Sequence, residues 1–366
     1  MQSLVDALYT QYLPHSDGEV ATYIPELSTA NPDDFGVCLV TADGRVFEAG
    51  DCDRAFTIQS ISKPFTFGMA IEELGHDVVL RHVGVEPSGE SFNSIKLQDE
   101  TNRPHNPMIN AGAITVTALL HRLHGARSLE HLLDRFSAIA GRTLTIDEAV
   151  YESERRTGHR NRAIAHLLLN FGIVHAEAEA ALDLYFKQCS IKVTCRDLAM
   201  MGATLSNMGC NPTTGQSAFN VASVKDILSV MFTCGMYDYS GQWAYRVGVP
   251  AKSGVAGGLI AVVTARWASR RTRRASIGTA TAPAESKSVP SSPPDSASMY
   301  STASTSALVF WTRCCRYRAQ SSGNARRAAL YRKAAADSES TTDRFYDFEE
   351  FARSWRRRRK MARRRT

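Results

Sequence analysis

Residues 56–65 read Phe56-Thr57-Ile58-Gln59-Ser60-Ile61-Ser62-Lys63-Pro64-Phe65. The residues that follow are apolar almost all round, and Gly75 provides a stop signal, so this part of the sequence predicts a buried helix over residues 60–74. Residues three apart on a helix share one face, so the Ser60 hydroxyl and the Lys63 amine can meet.

The Ser-x-x-Lys spacing has two interpretations. A serine is a poor nucleophile until a base takes its proton, and a lysine desolvated at an apolar helix end can be neutral near pH 7 and serve as that base. Taken alone, the same spacing is more often the start of a capped core helix with a lysine that reaches out to solvent. Other motifs must therefore decide between catalysis and packing.

The composition describes a globular body followed by a basic tail. Residues 1–263 contain 20 Lys and Arg against 29 Asp and Glu, whereas residues 264–366 contain 23 against 8. We see neither a signal peptide nor an apolar run of membrane-spanning length, so we expect no association with a membrane. The eight cysteines are scattered without a C-x-x-C pair, which favours reduced thiols and a cytoplasmic location.

The order of the predicted elements indicates an α+β fold. Residues 35–47 read as a β-hairpin with its turn at Asp43-Gly44, residues 75–234 are mainly helical, and residues 259–263 form an apolar strand. An antiparallel sheet built from the N- and C-terminal parts, with a helical subdomain between them, fits this order. Within the helical part, Thr194-x-x-Asp predicts a capping box.

A second short motif stands at the head of the last strand. It is Lys252-Ser253-Gly254, and together with Ser-x-x-Lys it matches the layout of serine acyl-transfer enzymes of the penicillin-binding-protein and β-lactamase kind. Small residues there let the strand backbone approach the acyl carbonyl, so that its N–H groups help to form an oxyanion hole.

Longer motifs identify the family. In chain order they are Tyr-Ile-Pro-Glu-Leu (23–27), Gln-Ser-Ile-Ser-Lys (59–63), Glu-Pro-Ser-Gly (86–89), Pro-His-Asn-Pro-Met-Ile-Asn-Ala-Gly-Ala-Ile (104–114), Ser153-Glu154 with Asn161, Tyr-Phe-Lys-Gln-Cys-Ser-Ile (185–191) and Cys-Gly-Met-Tyr-Asp-Tyr-Ser-Gly (234–241). Over about residues 3–263 the chain closely resembles the serine-dependent glutaminases, whose catalytic domain has the β-lactamase-like transpeptidase fold. The resemblance implies hydrolysis of L-glutamine to glutamate and ammonia, without a cofactor, by a homo-oligomer (a dimer or tetramer).

The resemblance also implies the catalytic roles. Ser60 would be the nucleophile, Lys63 its general base, and Tyr237 the group that assists proton transfer to the leaving ammonia. The backbone N–H groups of Ser60 and Val255 would form the oxyanion hole.

The free amino-acid end of the substrate is a zwitterion, so its pocket needs an anion and hydrogen-bond donors. The resemblance gives the first role to Glu154, which would bind the ammonium. The remaining residues would be Asn110, Asn161 and Tyr185 for the carboxylate, and Tyr23 and Gln59 for the side-chain amide pocket. A site that pairs both charges rejects plain amides, because its own buried polar groups would be left unsatisfied.

Several alternatives stay open at this point. Taken singly, Asn110 reads as a helix cap, Glu154 as a surface ion pair and Tyr185 as core. One alternative is a different enzyme, a β-lactam or peptide acyl hydrolase with the same two short motifs. The other is not an enzyme but an inactive glutaminase-like remnant whose basic tail binds nucleic acid. We predict no nucleotide site, because the glycines at 254–258 lack P-loop spacing. We also predict no metal, because the histidines lack a ligand spacing such as His-Glu-x-x-His.

After Val263 the sequence departs from the family, which continues with two more strands and a helix. Residues 264–366 are a basic, low-complexity segment that we expect to be disordered. Read from the third base of each codon, this segment permits a reading that resembles the missing family C-terminus. We therefore hypothesise a frameshift near codon 264, which sequencing the locus tests.

The hypothesis has physical consequences for the product. Without the two strands, residues 259–263 should form an unpaired hydrophobic edge, and the product should be aggregation-prone and inactive. The arginine-rich ending over residues 355–365 would bind phosphates non-specifically. We interpret it as an out-of-frame product and expect no specific nucleic-acid partner.

Overall fold

The computed structural model describes residues 1–14, 20–175 and 178–263, and the backbone of residues 306–312. The helices are α1 Gln2–Tyr12, α2 Lys63–Leu74, α3 His76–His82, α4 Asn110–His124, α5 Ser128–Ala140, α6 Glu148–Thr157, α7 His159–Asn170, α8 Ala178–Cys189, α9 Cys195–Ser206, α10 Val221–Cys234 and α11 Ser240–Arg246. The strands are β1 Phe35–Thr41, β2 Val46–Gly50, β3 Phe56–Thr57, β4 Lys192–Val193, β5 Ala251–Ser253, β6 Gly258–Val263 and β7 Ser306–Thr312. This mixture of a sheet and a helical block confirms the predicted α+β class.

The main sheet joins the two ends of the chain, as the sequence predicts. Its strand order is β2-β1-β7-β6-β5, and all neighbours are antiparallel. Side chains alternate between the two faces of β1: Val37 and Leu39 pack with α1 and α11, whereas Cys38 and Val40 face the large core of the helical block. Because helices cover both faces, every residue of β1 is buried.

The predicted hairpin at the N-terminal side of this sheet is confirmed. β1 and β2 pair from Gly36 opposite Gly50 to Val40 opposite Val46. Gly44 closes the turn with a φ of 82°, a left-handed backbone conformation that glycine adopts without steric cost.

The expectation of an unpaired edge at residues 259–263 is wrong. β6 pairs along its whole length with β7, from Gly258 opposite Trp311 to Val263 opposite Ser306, and β7 pairs on its other side with β1. One segment of the basic tail thus supplies the central strand of the sheet, because β1 and β6 each present a row of backbone groups that needs a partner. Apart from this strand, the predictions about the tail, including its arginine-rich ending, lie outside the described residues.

Helix α2 lies at the centre of the helical block. All residues from Lys63 to Ile71 are buried, which agrees with an apolar pattern that runs all round the helix. The predicted start of this helix was wrong, since residues Gln59–Ser62 form a 3-10 turn and the α-helix begins at Lys63. Among the described residues, no helix combines the length and the apolarity needed to cross a membrane.

Two polar features fix the helices around this core. The predicted capping box is present at the start of α9, where Thr194 and Asp197 exchange side-chain-to-backbone hydrogen bonds. Beneath the start of α2, Gln188 donates to the hydroxyls of Ser62 and Thr66 and accepts from Thr117. This buried network therefore fixes α2 against α4 and α8.

Candidate active site

The turn that carries Ser60 is held at both ends. β3 pairs with β4 just before it, and the Ile58 N–H donates to the Ile191 carbonyl at 2.9 Å. Gln59 has a φ of 50°, which is costly for a residue with a side chain and is maintained by its surroundings. Ser60 follows with its residue half-buried, while Ile61 is fully buried and anchors the turn. The serine is thus presented by a rigid element at the edge of the core.

Lys63 is the buried amine beside this turn, only 1% exposed. Its Nζ donates to the Met108 carbonyl at 3.1 Å and to Asn110 Oδ1 at 2.7 Å, and neither bond goes to Ser60. Burial lowers the pKa of Lys63 to about 7, although Cys189 and Glu154 oppose part of that shift. The side chain can therefore exchange a proton near neutral pH.

Asn110 connects the lysine to two other predicted site residues. It begins α4, and its Nδ2 donates to Asn161 Oδ1 at 2.9 Å. The Tyr185 hydroxyl donates a hydrogen bond to Asn110 Oδ1 at 3.4 Å. Burial holds the pKa of Tyr185 well above its usual range, so this hydroxyl remains a neutral donor. Asn110, Asn161 and Tyr185 come from three helices and form one hydrogen-bonded group.

Glu154 places a buried carboxyl next to the lysine. It lies on α6, is 6% exposed, and its Oε2 has no hydrogen-bond partner among the described residues. Burial raises the pKa of Glu154 to about 8, while a hydrogen bond from Gln59 and the charge of Lys63 oppose part of that rise. A buried, unpartnered carboxyl oxygen is costly unless a cationic or donor group satisfies it.

Tyr237 lies between two buried amines. Its φ is 57°, in the left-handed region, and its ring centroid is 5.7 Å from Lys63 Nζ and 3.9 Å from Lys252 Nζ. Burial, followed by the charge of Lys63, holds the pKa of Lys252 well below its usual range. The ring of Phe92 packs against Tyr237 with centroids 5.6 Å apart. This arrangement places the tyrosine beside the lysine of each short motif.

The turn between β5 and β6 approaches the serine turn closely. Gly254 N–H donates to the Gly258 carbonyl at 2.8 Å, and a Cβ added at Gly254 would lie 3.0 Å from the Ile58 carbonyl oxygen. Only a residue without a side chain fits this contact comfortably, which explains the glycine of Lys-Ser-Gly. Val255 follows, half-buried against an apolar cluster that includes Leu27.

Tyr23 is the most exposed of the predicted site residues, at 47%. It precedes the 3-10 turn Pro25–Thr29. This loop is tied to α6 by the Glu26 N–H, which donates to Ser153 Oγ at 3.2 Å. Next to it lies a cavity of about 140 Å³, which Leu27, Val255 and residues of β3 help to line.

Sequence reasoning missed three contributors to this site. Lys252 stands out in the sequence only as part of a motif, with no sign of a role for its amine, and no residue pattern marks the Met108 carbonyl as a lysine acceptor. Cys189 was assigned no role either, yet burial raises its pKa and it lies close enough to Lys63 and Tyr185 to influence both. Of the three, only Cys189 could have been found from the sequence, because it follows Tyr185 by one helical turn and so shares its face of the helix.

The fold and the two lysine motifs define the class of protein. It has the β-lactamase-like fold, with Ser-x-x-Lys at a central helix and Lys-Ser-Gly on a sheet strand. A sequence model of the glutaminase family matches residues 18–269. The glutaminase of Trichormus variabilis is 53% identical over 261 residues, which cover 71% of this chain and 78% of that protein.

Solved structures agree with the sequence comparison. The crystal structure of Mglu in its glutamate form superposes with a TM-score of 0.76 and 34% identity, covering 94% of this chain and 71% of that one. The probable glutaminase of Bacillus subtilis gives a TM-score of 0.73 and 31% identity, covering 92% and 95%. The chain belongs to the glutaminase family, hydrolases that convert glutamine to glutamate by acting on its side-chain amide.

Proposed function

We propose that this chain hydrolyses L-glutamine through an ester on Ser60, with Lys63 as the general base. The observation that carries the proposal is the environment of Lys63: a buried amine, one turn after the serine, whose pKa is about 7. At that pKa a substantial share of the amines is neutral at pH 7 and can accept the serine proton.

The proton path follows from this arrangement. Ser60 Oγ attacks the amide carbon of the substrate side chain while its proton passes to Lys63 Nζ. Backbone N–H groups of Ser60 and Val255 bind the oxyanion of the tetrahedral intermediate. Tyr237 delivers a proton to the nitrogen that leaves as ammonia, and the proton held on Lys63 Nζ passes to the Tyr237 oxygen. Water then attacks the γ-glutamyl ester while Lys63 takes a proton from it, and this proton passes to Ser60 Oγ as glutamate leaves.

Substrate recognition rests on the buried polar groups around this centre. Glu154 accepts the α-ammonium, which would satisfy its unpartnered oxygen and favour its ionised form. The α-carboxylate is bound by the amide and hydroxyl donors of Asn110, Asn161 and Tyr185. Gln59 and Tyr23 border the pocket for the side-chain amide. No cofactor enters this scheme.

The experiment measures ammonia release from L-glutamine by the purified full chain, with and without hydroxylamine. An acyl-enzyme transfers its γ-glutamyl group to hydroxylamine, so γ-glutamyl hydroxamate should form and Ser60→Ala should abolish both products. Ser229→Ala, an exposed serine on α10, is the matched control and should keep full activity. Ammonia release that persists in Ser60→Ala would overturn the proposal, and hydrolysis of nitrocefin instead of glutamine would favour the β-lactamase-like alternative.

The cellular setting and assembly belong to the same proposal. Cys38, Cys52, Cys189, Cys195, Cys210 and Cys234 are free thiols, which supports a reducing compartment and hence a cytoplasmic location. The family resemblance supports a homo-oligomer, which light scattering coupled to size-exclusion chromatography tests directly.

A further inference from the structure

Three metal-ligating side chains converge on the side of the helical block. Glu73 lies near the end of α2, His124 ends α4, and His131 lies on α5. His124 Nε2 is 2.6 Å from Glu73 Oε2, and His131 Nε2 is 2.8 Å from Glu73 Oε1. The two imidazole rings stack with centroids 3.8 Å apart and planes 22° apart. Both ring nitrogens thus point at one carboxylate.

This cluster differs from the other histidine–carboxylate contacts in the described residues. His76 pairs with Asp226, which also contacts Lys225, and His166 pairs with Glu179, so each of these sites holds one histidine. In the described part of the chain only Glu73, His124 and His131 form a group of three potential ligands, with all ligand atoms within 4.8 Å of one another.

The neighbouring charges leave Glu73 available to the histidines. The adjacent carboxylate, Glu72, receives a hydrogen bond from Arg135 at 2.6 Å and another from the Asn220 N–H. Among the described residues the ion pairs of Glu73 are with His124 and His131 alone. The three side chains are between 16% and 29% exposed, so an ion can reach them from solvent although the site is largely desolvated.

We propose that Glu73, His124 and His131 bind a divalent transition-metal ion, with Zn²⁺ as the expected occupant. Two neutral imidazoles and one carboxylate are a donor set that Zn²⁺ accepts, at about 2.0–2.2 Å for nitrogen and oxygen. Each imidazole would bind the ion through the Nε2 lone pair and carry its proton on Nδ1. Ligand atoms around a tetrahedral ion at those bond lengths lie about 3.3 Å apart, so the nitrogen–oxygen separations widen by about 0.5–0.7 Å. The two stacked rings must also turn so that their in-plane lone pairs converge on the ion. Water fills the remaining position.

Such an ion would cross-link three helices. α2 begins at Lys63 and carries Glu73 near its other end, so the metal would fix the helix of the catalytic base to α4 and α5. The role is structural, because the cluster contains none of the residues assigned to catalysis or substrate binding. The histidine spacing did not predict this site, since its ligands lie on three helices rather than on one.

The test is Co²⁺ and Zn²⁺ binding to the full chain without a histidine tag. One equivalent of Co²⁺ should give visible d–d bands typical of nitrogen and oxygen ligands, and Zn²⁺ should displace it and raise the melting temperature. His124→Gln, His131→Gln and Glu73→Gln should each weaken binding by at least about tenfold, since even the loss of a residue that only supports a metal ligand costs about 10- to 100-fold. Each should also abolish the thermal shift. Glutaminase activity without metal should be unchanged in all three.

His76→Gln is the matched control, because it removes a histidine that also lies 2.6 Å from a carboxylate but belongs to a pair. It should bind Co²⁺ and Zn²⁺ as the wild type does. The proposal is overturned if the wild type binds no ion at about 100 µM, because any Kd below that value would give measurable occupancy. It is overturned equally if the three variants bind normally, or if the Co²⁺ complex shows a thiolate charge-transfer band from cysteine.

Discussion

The amine of Lys63 and the side-chain oxygen of Asn110 lie 2.7 Å apart, although 47 positions separate them in the chain. This hydrogen bond orients the amine, and the same asparagine holds Asn161 through its Nδ2. One side chain therefore connects the proposed base to the proposed carboxylate pocket. A change at Asn110 should affect proton transfer and substrate binding together.

The rate of glutamine hydrolysis should depend on pH through Lys63 and Glu154. Lys63 acts as a base only when neutral, above its pKa of about 7, and Glu154 binds an ammonium only when ionised, above about 8 in the free enzyme. Both groups must lose a proton to act, so kcat/KM should rise with pH between about 6 and 9. This ratio reports the ionisation of the free enzyme. Steady-state rates across that range check the prediction, and a flat or falling profile would contradict it.

Replacing the neutral acceptor of Lys63 by a charged one should move that profile. In Asn110→Asp a carboxylate faces the amine and favours its protonated form, so the pKa of Lys63 rises from about 7 to about 8–9. The rate at pH 7 should fall by about 5- to 50-fold, because the neutral share of Lys63 drops from about half to about 1–9%, and it should recover partly near pH 9. The measurement is the pH at which the rate of the variant rises, compared with that of the wild type. An unchanged pH would show that Asn110 does not influence the pKa of Lys63.

Glu154→Gln should impair binding more than chemistry. The buried carboxylate is proposed to pair with the substrate ammonium, and loss of one partner of a buried ion pair costs about 3–5 kcal/mol, or at least about 100-fold in KM. Preference for glutamine over its analogue without the α-amino group should shrink by a similar factor. Glu152→Gln, on the same helix but paired with Arg155 at the surface, serves as the control and should change little. Equal losses in the two variants would refute this role.

Gly235→Ala should destabilise the fold. A Cβ at this position would lie 1.9 Å from the Ala251 carbonyl oxygen, so the end of α10 would be forced away from β5. We expect a loss of about 3 kcal/mol, at the upper end for overpacking, measured by urea unfolding, together with lower activity because Tyr237 and Lys252 lie on the displaced segments. Gly241→Ala, with nothing within 4 Å, should leave stability within about 0.5 kcal/mol.

The central strand β7 should be needed for a soluble, active protein. A chain of residues 1–263 lacks β7 and exposes the facing edges of β1 and β6, so it should aggregate and lose activity. A chain of residues 1–312 keeps that strand and should remain soluble. Size-exclusion chromatography and ammonia release compare the two. Equal solubility and activity would show that residues 306–312 contribute nothing to the sheet.

Local sequence signals predicted the elements that depend on neighbours in the chain. The Asp43-Gly44 pair predicted the hairpin turn, and Thr194 with Asp197 predicted the capping box. Both features depend only on backbone geometry within four residues. The same reasoning placed the start of the central helix too early, since the 3-10 turn Gln59–Ser62 is imposed by the pairing of Ile58 with Ile191. Local signals also did not reveal the pairing of β6 with β7, because β7 lies more than forty residues further along the chain.

The sequence by itself determined the family, the short motifs and the identity of the proposed nucleophile and base, because these follow from residue types at fixed spacing. Only the tertiary structure decided that Lys63 is buried, that Lys252 lies over the Tyr237 ring, and that three helices bring two histidines to one glutamate. Desolvation and through-space charge set the pKa of a group and its capacity to bind an ion. Both depend on which distant segments pack around that group, and residue spacing along the chain does not record this.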